Sequence, residues 1–512
     1  MRKLFLFLFL LFPGVSWALT TSTVPILEYQ REYEILERAK EVGLIEDVDL
    51  SFKPLTREQF ARAIVEIYNN RNRDPEVAKK FFDELYPVFK DTVDELLKGY
   101  RYNYIKPINN VYTSVDYLSG VNEYKTSYKE GYLLDSGLNG RFRFSSEMRF
   151  SNYLFYLEPE YKRGGLELNR GYVTRNFKGV NILLGKDTVW YGNGENGDLL
   201  FTNNIKPWLM LKVEMDSSKR LPGLLSILGE WRFSTFLSRL EKERVRSYAK
   251  VWGMRLAWKP IKNFEIAGSR AIQFGGSGRP DYKSLKDIWY LFLAKDENVR
   301  DPSEDAHYYD NNQLASIEIT WYLNFLRKWK FQPFKGGKLY YVYAGDDAIK
   351  PEGPFGLPVP TAAVHIIGTS LTTGYTRVIV EYAETVDETA RWYTHHMYPD
   401  GYTYEGFIIG HAMGGDSRNY FFKVERDFDF ASLSFSFDRR LHGIVDYPSD
   451  EEENIFSVSG VKRLNIDSFF YLKTFSAKLY FSLTFDKVEN FGGVQDEDKN
   501  ILLLSSSLSF QF

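Results

Sequence analysis

KNILLLSSSLSFQF, residues 499–512, puts Leu502, Leu504, Leu508, Phe510 and Phe512 on one side of an extended strand, because successive side chains of a strand point to opposite faces. The same two-residue period recurs upstream. Phe475, Ala477, Leu479, Phe481, Leu483 and Phe485 alternate with Ser476, Lys478, Tyr480, Ser482, Thr484 and Asp486. Ala431, Leu433, Phe435 and Phe437 alternate with Ser432, Ser434 and Ser436. Phe142, Phe144, Met148 and Phe150 alternate with Arg141, Arg143, Glu147 and Arg149, and Leu209, Leu211, Val213 and Met215 with Trp208, Met210, Lys212 and Glu214. Each stretch reads as a strand with one apolar and one largely polar face.

In a soluble sandwich the apolar faces would meet in a core. Here the pattern repeats over most of the chain from about Asn110, and its polar faces carry many full charges. An antiparallel β-barrel with lipid outside and a polar interior accommodates that pattern. About 18 strand cores can be placed, starting near residues 110, 139, 152, 165, 180, 207, 230, 248, 263, 314, 337, 362, 375, 418, 430, 454, 475 and 499. The long gaps between them, 119–138, 187–206, 274–313, 346–361, 386–417 and 439–453, all follow odd-numbered strands, as expected where outer loops are long and inner turns short. Two even connections, about 216–229 and 325–336, are longer than this rule predicts.

Composition agrees. The 512 residues are 17% aromatic and 26% charged with a net charge of −3, which gives no field for nucleic acid. The absence of cysteine excludes disulfides, zinc–thiolate sites and thiol catalysis. Arg2 and Lys3, the apolar run Leu4–Phe12, and the small residues Ser16 and Ala18 read as a signal peptide cleaved after Ala18. Beyond it no segment approaches the ~18 apolar residues of a membrane helix. A terminal strand ending in an aromatic residue resembles the sorting signal of outer-membrane barrels, so the barrel assembly machinery and outer-membrane lipids, lipopolysaccharide included, are expected partners.

Residues 19–105 have helical spacing and are expected to form a small bundle in the periplasm, ahead of a barrel over 106–512. Ile35, Leu36, Ala39, Val42 and Leu44 share a face, and Gly43 is a helix stop. Thr56 and Gln59 predict a capping box for a second helix with Phe60, Ile64 and Ile67 on one face. A third helix is predicted from about Pro75 to Leu97, with Phe81, Phe82, Leu85 and Phe89 apolar. Within about 28–68, the stretch GLIEDVDLSFKPLTREQFARAIVEI resembles one S-layer-homology repeat, which implies binding of peptidoglycan or another cell-wall polymer. The alternative is a structural plug or adaptor.

Two loop segments carry specific wording. Gly185, Lys186, Asp187, Thr188, Trp190, Tyr191, Gly192 and Gly194 are followed by Thr202, Asn203, Asn204 and Pro207. Gly401, Tyr402, Thr403, Tyr404, Gly406 and Gly410 lead to Gly415, Asp416 and Arg418. Both resemble the Wzi family of capsule-assembly proteins, over about residues 110–512. Tyr191 and Asn193 depart from the W-W-G-P-G wording frequent in that family. The resemblance implies an outer-membrane barrel with a periplasmic helical bundle, acting as a surface lectin that retains exported capsular polysaccharide.

On that reading the polysaccharide-binding candidates are Trp190, Tyr191, Asn193, Asn203, Asn204, Trp392, Tyr393, Tyr402, Tyr404, Asp416 and Arg418. A ring face can stack on the C–H face of a sugar while amides and carboxylates fix its hydroxyls. Each ring equally fits the aromatic belt or packing of a barrel loop. No cofactor or metal is expected: His395 and His396 are adjacent and would point apart on a strand, and Glu451, Glu452 and Glu453 fit a solvated loop tip. Nor is catalysis expected; Ser417, His411 and Asp416 are close in sequence without a recognised nucleophile motif. The alternative function is a porin-type channel for polar solutes, with Arg141, Arg143, Arg149, Lys212, Glu214 and Arg255 lining its lumen.

Overall fold

The computed structural model describes residues 19–512 apart from 280, 281, 283, 294–310, 330–332, 349–359, 388–390, 446–449 and 467–474. The signal-peptide reading of residues 1–18 falls outside this set. The first six long strands are β1 Tyr104–Lys125, β2 Leu133–Phe150, β3 Tyr153–Lys162, β4 Gly165–Phe177, β5 Val180–Asp187 and β6 Trp208–Met215. Next come β7 Glu230–Arg239, β8 Lys250–Ile261, β9 Phe264–Phe274, β10 Asn312–Tyr322, β11 Gly336–Ala348 and β12 Pro360–Thr372. The last six are β13 Thr376–Glu384, β14 Ser417–Asp427, β15 Ser432–His442, β16 Glu451–Ile466, β17 Phe475–Glu489 and β18 Lys499–Gln511.

These 18 antiparallel strands form one closed barrel. The terminal stretch does the closing: Asn110–Ser119 of β1 pairs with Leu502–Gln511 of β18. The alternation has the sense expected of a membrane barrel. Phe142, Leu211, Leu256, Leu483 and Leu504 point outward and are exposed, while Arg143, Lys212, Arg255 and Glu265 point inward and are buried. The longest connections, 188–207, 275–311 and 385–416, follow odd strands, although the turn after β3 is only residues 163–164. The predicted long gap 119–138 is largely strand, because β1 and β2 run on to a seven-residue turn, and β15 and β16 extend a few residues into each end of 439–453. The over-long even connections hold extra structure: a two-residue strand, Lys219–Arg220, with a 3-10 turn, Gly223–Leu228, and a second 3-10 turn, Asn324–Lys328.

The N-terminal helices are α1 Gln30–Glu41, α2 Arg57–Asn69 and α3 Pro75–Lys98. Thr56 caps α2 through the predicted box with Gln59. Phe60 of α2 stacks on Phe89 of α3 with centroids 4.5 Å apart, and Tyr33 of α1 meets Phe60 edge-on at 5.1 Å. The bundle does not hang beside the barrel. It is inserted into the short-turn end of the lumen, where Gln59 Nε2 donates to Asp216 O at 2.8 Å and Thr20 Oγ1 to Asn152 O at 3.2 Å.

Helix α1 explains how a charged helix can be buried. Arg31, Glu32, Glu37, Arg38, Lys40 and Glu41 are all buried, although a helix polar on most of its circumference would ordinarily face water. The inward strand positions supply the opposite charges. Arg31 and Arg38 reach Asp427 of β14 at 2.9 and 2.7 Å, and Glu32 reaches Lys478 of β17 at 2.9 Å. Arg377 of β13 donates Nε to Glu41 at 3.0 Å, and Lys259 of β8 lies 3.2 Å from Asp49 in the loop after α1. Removing one member of such a pair costs about 3–5 kcal/mol, because it strands a buried charge. The residues predicted to line a channel therefore have other duties. Arg143 pairs with Glu28 of the bundle, Arg149 with Glu95, and Arg255 with Glu318. Much of the polar surface of residues 28–68 is taken up by contacts with the barrel wall.

Candidate functional site

Two long loops, 188–207 between β5 and β6 and the described residues of 385–416 between β13 and β14, fold into the barrel against the bundle. Their apolar side chains, among them Tyr191, Leu199, Phe201, Trp392, Tyr393 and Tyr402, form one buried cluster with Phe52 of the bundle and with inward wall residues such as Phe236 and Tyr340. Trp190–Tyr191 pairs as a short antiparallel strand with Phe52–Lys53, so the loop and bundle meet in the lumen. The two family-like motifs lie against each other: Thr202 Oγ1 donates to Gly410 O at 2.7 Å, and Tyr402 OH donates to Leu200 O at 3.0 Å. Close approach, across this contact at Gly410 and within its own loop at Gly192, explains two of the motif glycines. A Cβ at Gly410 would sit 2.2 Å from Leu199 O, and one at Gly192, whose φ is +132°, would sit 1.7 Å from an Asp198 carboxylate oxygen.

This placement corrects the picture of exposed loop aromatics. Trp190, Tyr191, Trp392, Tyr393, Tyr402 and Tyr404 are all less than a tenth exposed, and none offers a free ring face. Tyr191 OH bonds Ser234 Oγ at 2.6 Å, Tyr393 stacks on Tyr402 at 5.7 Å, and Tyr404 lies 5.9 Å from Trp208. The amides are equally occupied. Asn193 Nδ2 donates to Glu318 at 2.7 Å, Asn203 Nδ2 to Tyr128 O at 3.0 Å and Asn204 Nδ2 to Ile408 O at 2.9 Å. Each fixes an inserted loop to its surroundings, because a buried amide needs its hydrogen bonds satisfied.

Three of the eleven candidates reach a common surface. Trp392, Tyr393 and Asp416 line a depression of about 450 Å³ at the long-loop end, together with Arg391, Asp400, His442 and Glu451. Its size falls within the roughly 300–1,000 Å³ of small-ligand sites. The buried Trp392 indole N–H has no hydrogen-bond acceptor, although a buried indole normally finds one. Asp416, with φ +50°, shapes the rim: its carboxylate accepts from Val445 N at 3.0 Å and its carbonyl from Gly443 N at 3.0 Å. Arg418 lies on β14 one position past the inward Ser417, is half-exposed, and donates to Glu384 at 2.8 Å. It belongs to the outer wall near the rim and is not part of the depression. Sequence reasoning missed His442 and Glu451; their register as direct partners on β15 and β16 is a property of the closed sheet.

His442, Glu451 and Glu453 are the group among the described residues that could hold a cation, with donor atoms within 4.8 Å of one another. Glu453 already faces His442 at 3.4 Å and Arg440 at 3.5 Å, so its charge is balanced without one. His395 and His396 stack on each other at 4.5 Å, whereas His411 is buried in the lumen cluster. Ser417 Oγ lies 3.0 Å from His442 Nδ1, but it is buried and also bonds Gly415 O at 2.8 Å, so no nucleophile is presented to a substrate.

The family model of the capsule assembly protein Wzi matches residues 108–482. An uncharacterized 55.8 kDa protein in the cps region of Klebsiella pneumoniae is 28% identical over 184 residues, which is 35% of this chain and 33% of that protein, so the chain matches only about a third of that relative's length. Among solved structures, Wzi of Escherichia coli, an outer membrane protein involved in group 1 capsule assembly and a carbohydrate-binding β-barrel, superposes with a TM-score of 0.66 at 19% identity, covering 97% of this chain and 100% of that one. OccD3 of Pseudomonas aeruginosa covers 79% of this chain and 91% of its own at a TM-score of 0.44 and 10% identity, too loose a likeness to bear on function. The N-terminal S-layer-homology resemblance finds no support in these comparisons. With the family model covering well over half of its residues, the chain belongs to the Wzi family of capsule assembly proteins.

Proposed function

We propose that this protein is a non-catalytic outer-membrane lectin that binds capsular polysaccharide at the cell surface and retains it there. The observation that carries the reading is the occupation of the lumen by the bundle and two loops, which leaves a polar cavity only on the side of Ser114, Arg141, Ser434 and Ser505 among the described residues. With the bundle below and two loops above pinned to the wall, the long-loop face is the surface left for a polymer. The structural neighbour in E. coli is described as a carbohydrate-binding barrel, and the K. pneumoniae relative comes from a capsule region. An even-stranded barrel returns both ends of the chain to one side, which supports a periplasmic bundle and an outward-facing depression. There Asp416, Arg391 and Asp400 offer polar edges to sugar hydroxyls rather than a stacking platform. Each contact is weak, and a repeating polymer sums them by multivalency.

The porin alternative is disfavoured because most of the charges that would line a channel, Arg143, Arg149, Lys212, Glu214 and Arg255 among them, are paired with the bundle or with other wall residues. Any contact with peptidoglycan falls to the outer face of α3, where Lys79, Asp83 and Lys90 are exposed. A test is complementation of a deletion strain with an Asp416→Ala, Arg391→Ala variant after its insertion is verified. Polysaccharide shed into the medium at constant total amount supports the reading. Full retention by the variant removes the depression from the binding surface.

A further inference from the structure

We propose that the connection between β6 and β7 is an interfacial anchor that lies in the phospholipid leaflet at the short-turn end of the barrel. Its 3-10 turn reads GLLSIL, and Leu224, Leu225 and Ile227 are 89%, 52% and 84% exposed. Leaving a leucine or isoleucine in water forgoes the stabilisation of burial, so the exposure of three on one short turn marks a surface that something covers.

Continuity with the lipid-facing wall identifies the cover. Trp258 of β8 donates its indole N–H to Leu228 O and stacks on Trp231 of β7, with centroids 5.4 Å apart and planes within 14°. Both rings lie on the outward face: Trp231 alternates with the buried Arg232, and Trp258 is two residues from the exposed Leu256. The apolar surface continues along the rim through Ile261 and Trp321 to the β10–β11 connection, where Trp321, Phe325 and Trp329 follow one another at 5.9 Å spacings. Tryptophans at the edge of an apolar wall mark the level of the lipid headgroups. Arg220, Lys262 and Lys328 stand at the same rim, where cations meet lipid phosphates. An exposed apolar turn next to Trp and basic residues is the composition of a segment lying in the interface plane.

The chain has no cysteine, so single labels are clean. A nitroxide is attached to Ile227→Cys in protein reconstituted into phosphatidylcholine–phosphatidylglycerol vesicles, with Leu256→Cys as the lipid-facing reference and Lys79→Cys on α3 as the water-facing one. Accessibility to oxygen and to a water-soluble nickel chelate is read by electron paramagnetic resonance. The expected oxygen-to-nickel ratio at Ile227 matches Leu256 and exceeds Lys79 several-fold. A nickel-dominated signal like that of Lys79 overturns the proposal. So does a label shielded from both reagents, which would show a protein surface on the turn, a second copy included.

Discussion

Replacing Arg377 by methionine tests how the bundle is held. Arg377 is 1% exposed and donates to Glu41 of α1 and to Glu195 of the inserted 188–207 loop. Methionine keeps much of the volume and removes the charge. Glu195 retains Lys338, but Glu41 is left fully buried with only the Ser370 hydroxyl as a wall partner. Stranding one member of a buried pair costs about 3–5 kcal/mol. At about 1.4 kcal/mol per factor of ten, the open fraction of the bundle rises roughly 150- to 4,000-fold. Backbone amides of Ile35–Ala39 report that fraction through hydrogen exchange, because they exchange when the bundle leaves the wall. The Glu41→Met, Arg377→Met double variant removes both charges, and replacing such a pair with apolar groups is often neutral, so its exchange should return to within about tenfold of the parent. Unchanged exchange in Arg377→Met, or a double variant that exchanges as fast as the single, would refute charge pairing as what seats the bundle.

Three further outcomes follow from the same structure. Leu504→Arg on the lipid face of the closing strand should destabilise the barrel by about 2–4 kcal/mol at mid-membrane depth and lower the yield of membrane-inserted protein, whereas unchanged yield would contradict the outward placement of that face. Planar-bilayer recordings of the intact protein should show little current, and removal of residues 19–98 together with the inserted loops 188–207 and 385–416 should produce an open conductance, since a barrel of 18 strands is wide enough for water once emptied. A parent protein that conducts as freely as the deletion would show an unfilled lumen. Burial alone raises the carboxyls of Glu32, Glu37 and Asp49, but Lys478, Lys338 and Lys259 outweigh it and hold all three below the ordinary range. A carboxyl depressed on folding stabilises above its unfolded value and loses that contribution as pH falls through its folded value. Amide protection of α1 should therefore be the same at pH 7 and 5 and fall at pH 3; loss already at pH 5 would mean that other groups control the bundle.

The barrel was legible because lipid imposes a strict demand on every second residue. Leu504, Leu483 and Phe142 face lipid, and the period survives even where the alternate positions hold charges. The helices were legible for a similar local reason: Thr56 and Gln59 form their box, and Gly43 ends its turn with φ +75°. The site was not, because the direction in which a loop folds is set by partners far away in sequence. Trp392 and Tyr402 read as outer-loop platforms, yet they pack on Leu199–Phe201 from the other inserted loop and on the wall. One signal was available. Helix α1 carries seven charges, six of them buried, that no water-exposed stripe explains, and the inward strand positions Arg143, Lys259, Lys338 and Arg377 carry charges that an open channel does not need. Read together, these two sets announce a charge-matched plug. His442 beside Glu451 and Asp416 emerges only when the register of β15 on β16 is fixed.

Binding of purified capsular polysaccharide to the purified, detergent-solubilised protein tests the central claim most directly. Immobilised protein should retain the intact polymer, lose most of that binding in the Asp416→Ala, Arg391→Ala variant, and keep it in a variant of the exposed bundle surface such as Lys79→Ala. Loss of binding on the bundle side, or an intact protein that binds no polymer and passes small polar solutes across a bilayer, would contradict the account.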